Sequence, residues 1–115
     1  MEENKLIADF IGWTLDNEGL NSYRKYNGST FEYLLLSNFK FHSDWNWLME
    51  AVDKIESIGD EENNGEYFFE IYKFGVTIFS NGVYVNEIVN TTGKTKLEAT
   101  YNAVVEFINY YNATK

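Results

Sequence analysis

Between residues 97 and 111 apolar side chains return every three or four positions, at Leu97, Tyr101, Val104, Ile108 and Tyr111. That spacing sets them on one face of a 3.6-residue helix. Just upstream, Thr95 and Glu98 form a T-x-x-E capping box, in which each side chain can satisfy an orphaned backbone N–H of the first turn. The pattern predicts a helix over 95–112. Another opens the chain, with Leu6, Ile7, Phe10 and Ile11 on one face of residues 2–11 and Gly12 as a left-handed stop. A third follows Ser43, read as its N-cap, with Trp45, Leu48, Val52 and Ile55 turned inward and Gly59 ending it.

Elsewhere the period falls from 3.6 to two. Residues 67–73, 76–80 and 83–89 read as three strands in quick succession, an antiparallel meander whose last turn, Asn81-Gly82, is the dipeptide of a type I′ hairpin. Alternation gives the meander two apolar faces, Tyr67, Phe69 and Ile71 on one and Phe68, Tyr72 and Phe74 on the other. A sheet apolar on both sides is ordinarily covered on both. Trp13 to Leu15 and Phe31 to Leu36 supply a further strand pair, and the polar stretch from Asp16 to Ser29 reads as an exposed loop. The expected architecture is a single α+β domain over residues 1–115: an antiparallel β-meander packed with about three helices that cover both sheet faces, an α-β-α sandwich.

Composition narrows the function classes. Eighteen acids against nine bases give a net charge of −9, which repels a phosphate backbone and argues against direct nucleic-acid binding. Without cysteine, neither disulfides nor thiolate metal sites can hold the fold, so stability must come from apolar burial. The acidic start, Glu2-Glu3, is unlike a secretory leader, and no apolar run approaches the roughly 20 residues of a membrane span. A cytoplasmic protein is the expectation.

Candidate chemistry is sparse. His42-Ser43-Asp44 has the letters of a hydrolase triad, but consecutive residues cannot form the linear hydrogen-bonded chain that a triad needs. His42 is the only histidine, so a zinc site would have to draw on carboxylates. The stretch from Asp60 to Gly65 echoes a calcium loop, yet Ile71 stands where the closing bidentate glutamate belongs. The reading is a non-enzyme without cofactor or metal. What the chain has in quantity is aromatic rings: nine Phe, nine Tyr and three Trp, more than so small a domain can bury completely. Trp45 and Trp47 lie about 200° apart round a helix. Trp45 continues the inward stripe, which makes Trp47 the expected accessible anchor. Phe68, Tyr72, Phe79 and Tyr84, with Ile88, are expected on one side of the meander as an interface for a partner or a second copy of the chain.

Three stretches, Lys5 to Trp13, His42 to Glu56 and Lys94 to Ile108, resemble a group of small uncharacterised phage and prophage proteins, and the layout is similar to the phage ABA-sandwich domain. The resemblance implies an accessory phage product acting in the bacterial cytoplasm. Joined to the aromatic surplus, it suggests a protein that binds or sequesters a host component, either a defence factor or its small nucleotide-like signal. A structural, self-assembling role and an acidic mimic of DNA are the alternatives.

Overall fold

The computed structural model describes residues 2–114. Helix α1 (Glu2–Phe10) leads into a three-stranded antiparallel sheet, β1 (Thr14–Asn17), β2 (Ser22–Tyr26) and β3 (Phe31–Leu35), paired in that order. Helix α2 (Trp45–Ser57) follows, then a four-stranded antiparallel sheet, β4 (Gly59–Asp60), β5 (Gly65–Ile71), β6 (Gly75–Asn81) and β7 (Val85–Thr92), and finally α3 (Lys96–Ala113). The α+β class, the meander and the three helices are as the sequence predicts. The arrangement of layers is not. Helices α2 and α3 both pack on one side of the large sheet, and α1 and α2 meet the small sheet on their other side, where Leu6, Trp47 and Phe39 approach Tyr23 and Leu34. The helices therefore stand between two sheets, and each sheet keeps one open face.

Burial along the strands follows from this. In β6, Val76, Ile78 and Ser80 are buried and alternate with half-buried neighbours, while Tyr67 of β5 and Val89 and Thr91 of β7 complete the inner face. The expected cover over the second face of the meander is missing, and Phe68 remains exposed there. The stretch from Asp16 to Ser29 is also not a loop. A 3-10 turn at Glu18–Leu20 reverses the chain, Asn21 closes it in the left-handed region (φ 50°), and β2 returns with Tyr23 almost fully buried. The strand escaped notice because Ser22-Tyr23-Arg24-Lys25-Tyr26 buries little besides Tyr23.

Helix ends obey the expected chemistry with small shifts. Thr95 Oγ1 accepts from the Glu98 N–H at 3.1 Å, and the Glu98 carboxylate answers by accepting from the Lys94 N–H at 3.0 Å, one residue ahead of the cap itself. Gly12 takes φ 107° and ends α1 as expected. Asp44, not Ser43, caps α2, its carboxylate accepting from the Asn46 N–H at 2.8 Å; α2 stops at Ser57, and Gly59 already belongs to β4. The Asn81-Gly82 turn differs most. Neither residue has positive φ, and Gly82, Val83 and Tyr84 form a longer connection. Gly82 is required for a different reason: a Cβ there would collide with the Asn63 carbonyl.

The core centres on α3. Phe107, fully buried, meets Phe10, Tyr67, Tyr110 and Tyr111, and Val104 and Ile108 lie beside it on the predicted stripe. One buried polar network ties three parts of the chain together. The Tyr101 hydroxyl donates to Asn4 Oδ1 (2.9 Å), and Asn4 Nδ2 donates to the Phe39 carbonyl (3.2 Å) and lies 2.9 Å from His42 Nδ1.

Placing a carboxylate at the fully buried Val104, as Val104→Asp, should destabilise the domain by roughly 3 kcal/mol or more, read from denaturant midpoints. Tyr101→Phe should cost about 1 kcal/mol, because it removes the Tyr101–Asn4 hydrogen bond from the buried network. Burial pushes the phenols of Tyr67 and Tyr101 up to about 12 from their usual 10.0, with lesser help from nearby acids. A raised folded value means that the stabilisation is complete below the unfolded value and lost above it. The melting temperature should therefore fall between pH 10 and about 12, and Tyr101→Phe should shallow that fall.

Candidate binding surface

Of the residues expected on the open face of the meander, the structure brings Phe68, Tyr72 and Phe79 together. Phe68 and Phe79 are direct cross-strand partners, and their rings stack at 5.6 Å between centroids with planes 23° apart. Tyr72, just past the end of β5, donates its hydroxyl to Glu70 at 3.2 Å; that bond, then the Glu70 charge, raise its pKa. Phe68 and Tyr72 are exposed and Phe79 is half-buried.

The other two expected members are elsewhere. A β-bulge between Ile78 and Phe79 sets Glu87, not Ile88, opposite Phe79. One extra residue inverts which side chains face out, so Ile88 turns to pack partly against the core. Tyr84 sits in the turn after β6, where Asn63 Nδ2 donates to its carbonyl (2.7 Å) and Asn63 Oδ1 accepts from its N–H (3.1 Å). Its phenol is an electrostatic neighbour of Tyr110 in α3. Asn63, within the stretch that echoes a calcium loop, is 2% exposed and also donates to Ser80 Oγ at 2.9 Å. It clamps the β4–β5 loop to the β6–β7 turn.

The bulge also completes an electrostatic frame. Glu66, Glu70 and Glu87 share the outer face with Phe68 and Phe79, by strand alternation and by the pairing of Phe79 with Glu87. Strands β5, β6 and β7 contain no lysine or arginine. An aromatic pair thus lies open within a ring of carboxylates. The outer face of the small sheet has a second aromatic row outside the expected interface, because Tyr26 belongs to a strand where the polar pattern predicts a loop. There Tyr26 and Phe31 approach to 5.3 Å, Phe31 and Tyr33 to 6.4 Å, and the Arg24 guanidinium lies 5.1 Å from the Phe31 ring centre. Arg24 also lies 3.8 Å from the Asp16 carboxylate.

Trp47 reverses its expectation. It is half-buried, edge-on to Phe39 (6.0 Å) and Phe41 (5.5 Å), whereas Trp45 is 38% exposed. The buried stripe of α2 includes Ala51 with Leu48, Val52 and Ile55, which widens it toward Trp47. The 39–41 segment then closes over that flank. Trp47 still borders a cleft of about 440 Å³ with Trp13, Leu34 and the Lys25–Glu50 ion pair (2.7 Å), but it is held as a core residue. His42 is engaged by Asn4, and among the described residues no three His, Asp or Glu side chains converge to hold a metal. No helix among them is long and apolar enough to cross a membrane.

No family model, no curated protein and no solved structure matches this chain. The geometry alone therefore ranks the surfaces.

Trp47→Ala should lower stability more than Trp45→Ala. About 2–3 kcal/mol is expected for Trp47, below the 3–5 kcal/mol typical of a fully buried aromatic, and about 1 kcal/mol for Trp45. Paired denaturation curves decide the order.

Proposed function

We propose that this is a non-catalytic accessory protein of phage origin that binds a host component, and that the component is a protein presenting a basic surface to the open face of the large sheet. The observation that carries the reading is the stacked Phe68–Phe79 pair within the frame of Glu66, Glu70 and Glu87. Exposed aromatics supply contact area that loses water on binding, and surrounding carboxylates select lysine and arginine while steering the encounter. Resemblance to phage proteins supplies the origin, and with it the bacterial cytoplasm as the compartment and a defence factor as the kind of target. Self-assembly through this face is the weaker reading, because it would bring two acidic frames together without a cation between them.

A second reading has its own support. The row of Tyr26, Phe31 and Tyr33 beside Arg24 offers rings for a planar base to stack on and a cation for a phosphate, which suits a nucleotide-like signal as the sequestered component.

Capture from bacterial host lysate by the wild type and by the Phe68→Ala/Phe79→Ala variant tests the main reading. The expected result is a basic protein retained by the wild type, released by salt above about 0.5 M, and held at least about tenfold more weakly by the variant. Undiminished capture by the variant would remove the large sheet from the account. A nucleotide panel that raises the melting temperature of the wild type, but not of Tyr33→Ala, would favour the second reading.

A further inference from the structure

We infer that the cleft between the last turns of α3 and the β4–β5 loop is a binding site for a primary alkylammonium group, brought by a free amine or by a lysine side chain. The inference stands apart from the partner surface on the large sheet.

The cleft encloses about 300 Å³, and Asp60, Glu61, Glu62, Tyr67, Tyr110 and Tyr111 are among its walls. That volume is at the small end of ligand pockets. Among the described residues three carboxyl groups and no lysine or arginine line it, so these groups make the local potential negative, and low-dielectric walls concentrate it. An anion is repelled.

The most telling group is Tyr67. Its side chain is 4% exposed and packs edge-on to Phe107 at 4.8 Å, yet no hydrogen bond joins it to another described residue. The groups that act on its hydroxyl, Asp60, Tyr110, Tyr111 and Glu62, all line the cleft. The phenol oxygen is the accessible tip of an otherwise buried side chain, and it borders the cavity with an unused lone pair. The same surroundings, burial first, hold it protonated up to about 12, so it meets a ligand as a neutral hydroxyl that accepts an N–H.

The ligand's size follows from the donor set. No three acids converge on a point where a metal ion could sit, among the described residues, so the charge to be matched is spread over a wider opening. Tyr110 and Tyr111 add ring surface to that opening, and ring faces attract organic cations. Phe107 fixes the geometry from behind, stacked on Tyr111 at 5.9 Å and tilted against Tyr110 at 6.1 Å. An alkylammonium group satisfies every feature: charge for the acids, a methylene stem for the rings and an N–H for Tyr67.

The test uses the full chain at low ionic strength, with the tyrosine ring resonances followed by NMR during titration with n-butylammonium chloride. Saturable shifts of Tyr67, Tyr110 and Tyr111 are expected, with none from n-butanol or sodium chloride at equal concentration. Tyr67→Phe should weaken n-butylammonium by about fivefold and leave tetramethylammonium, which has no N–H, unchanged. Asp60→Asn/Glu62→Gln should weaken both cations, and unchanged melting curves show that the variants remain folded. If N-acetyl-lysine methylamide binds as tightly as n-butylammonium, the source is a polypeptide side chain; if it binds at least about tenfold more weakly, the source is a free amine, and either supports the site. Absence of saturation, an equal response to sodium chloride, or affinities unmoved by both variants would overturn the inference.

Discussion

One layer of helices serves two sheets, and that constraint governs the rest of the molecule. The three α-helices among the described residues can cover one face of each sheet and no more. The inner faces take Tyr23, Tyr67, Val76, Ile78 and Val89 into a single core around Phe107 and Ile55. The outer faces keep what alternation leaves there, which in both sheets is aromatic. Burial of the helix faces thus fixes where the outer rings must stand, α2 and α3 for Phe68 and Phe79 and α1 and α2 for Phe31 and Tyr33.

Polar groups inside the layer set its registration. Asn4, 2% exposed, receives Tyr101 from α3 and reaches Phe39 and His42, so a single amide positions α1, α3 and the segment entering α2. Asn63 does the same at the far end, holding the β4–β5 loop to the turn at Tyr84 and to Ser80. Each is a buried group whose partners would be costly to lose. Asn63 also keeps Asp60 and Glu62 beside Tyr67 and Tyr110, which links a fold-level contact to the chemistry of the cleft.

The helices were legible in the sequence because their apolar spacing and caps are local. Thr95, Glu98 and Gly12 declare their roles within one turn. The strand class of the meander was legible for the same reason, through alternation. What failed depends on partners distant in sequence. Trp47 is half-buried against Phe39 and Phe41, and helical angle alone could not rank it against Trp45. The bulge that exchanges Glu87 for Ile88 is a pairing between strands and leaves no mark in either strand alone. Tyr23 was hidden among polar residues because β2 buries little else. Of the expected surface, Phe68, Tyr72 and Phe79 were found by period-two reading, while the acidic frame emerged only once the register was known.

The account rests most on the outer face of the large sheet being open in solution, and solvent paramagnetic relaxation of ring protons measures that directly. With a soluble neutral paramagnetic agent, the rings of Phe68 and Phe79 should relax strongly, in the range of Tyr72, while Phe107 and Phe41 should be protected. Protection of Phe68 and Phe79 to the level of Phe107, in a dilute monomeric sample, would mean that another part of the chain covers this face, and the layer arrangement would be contradicted.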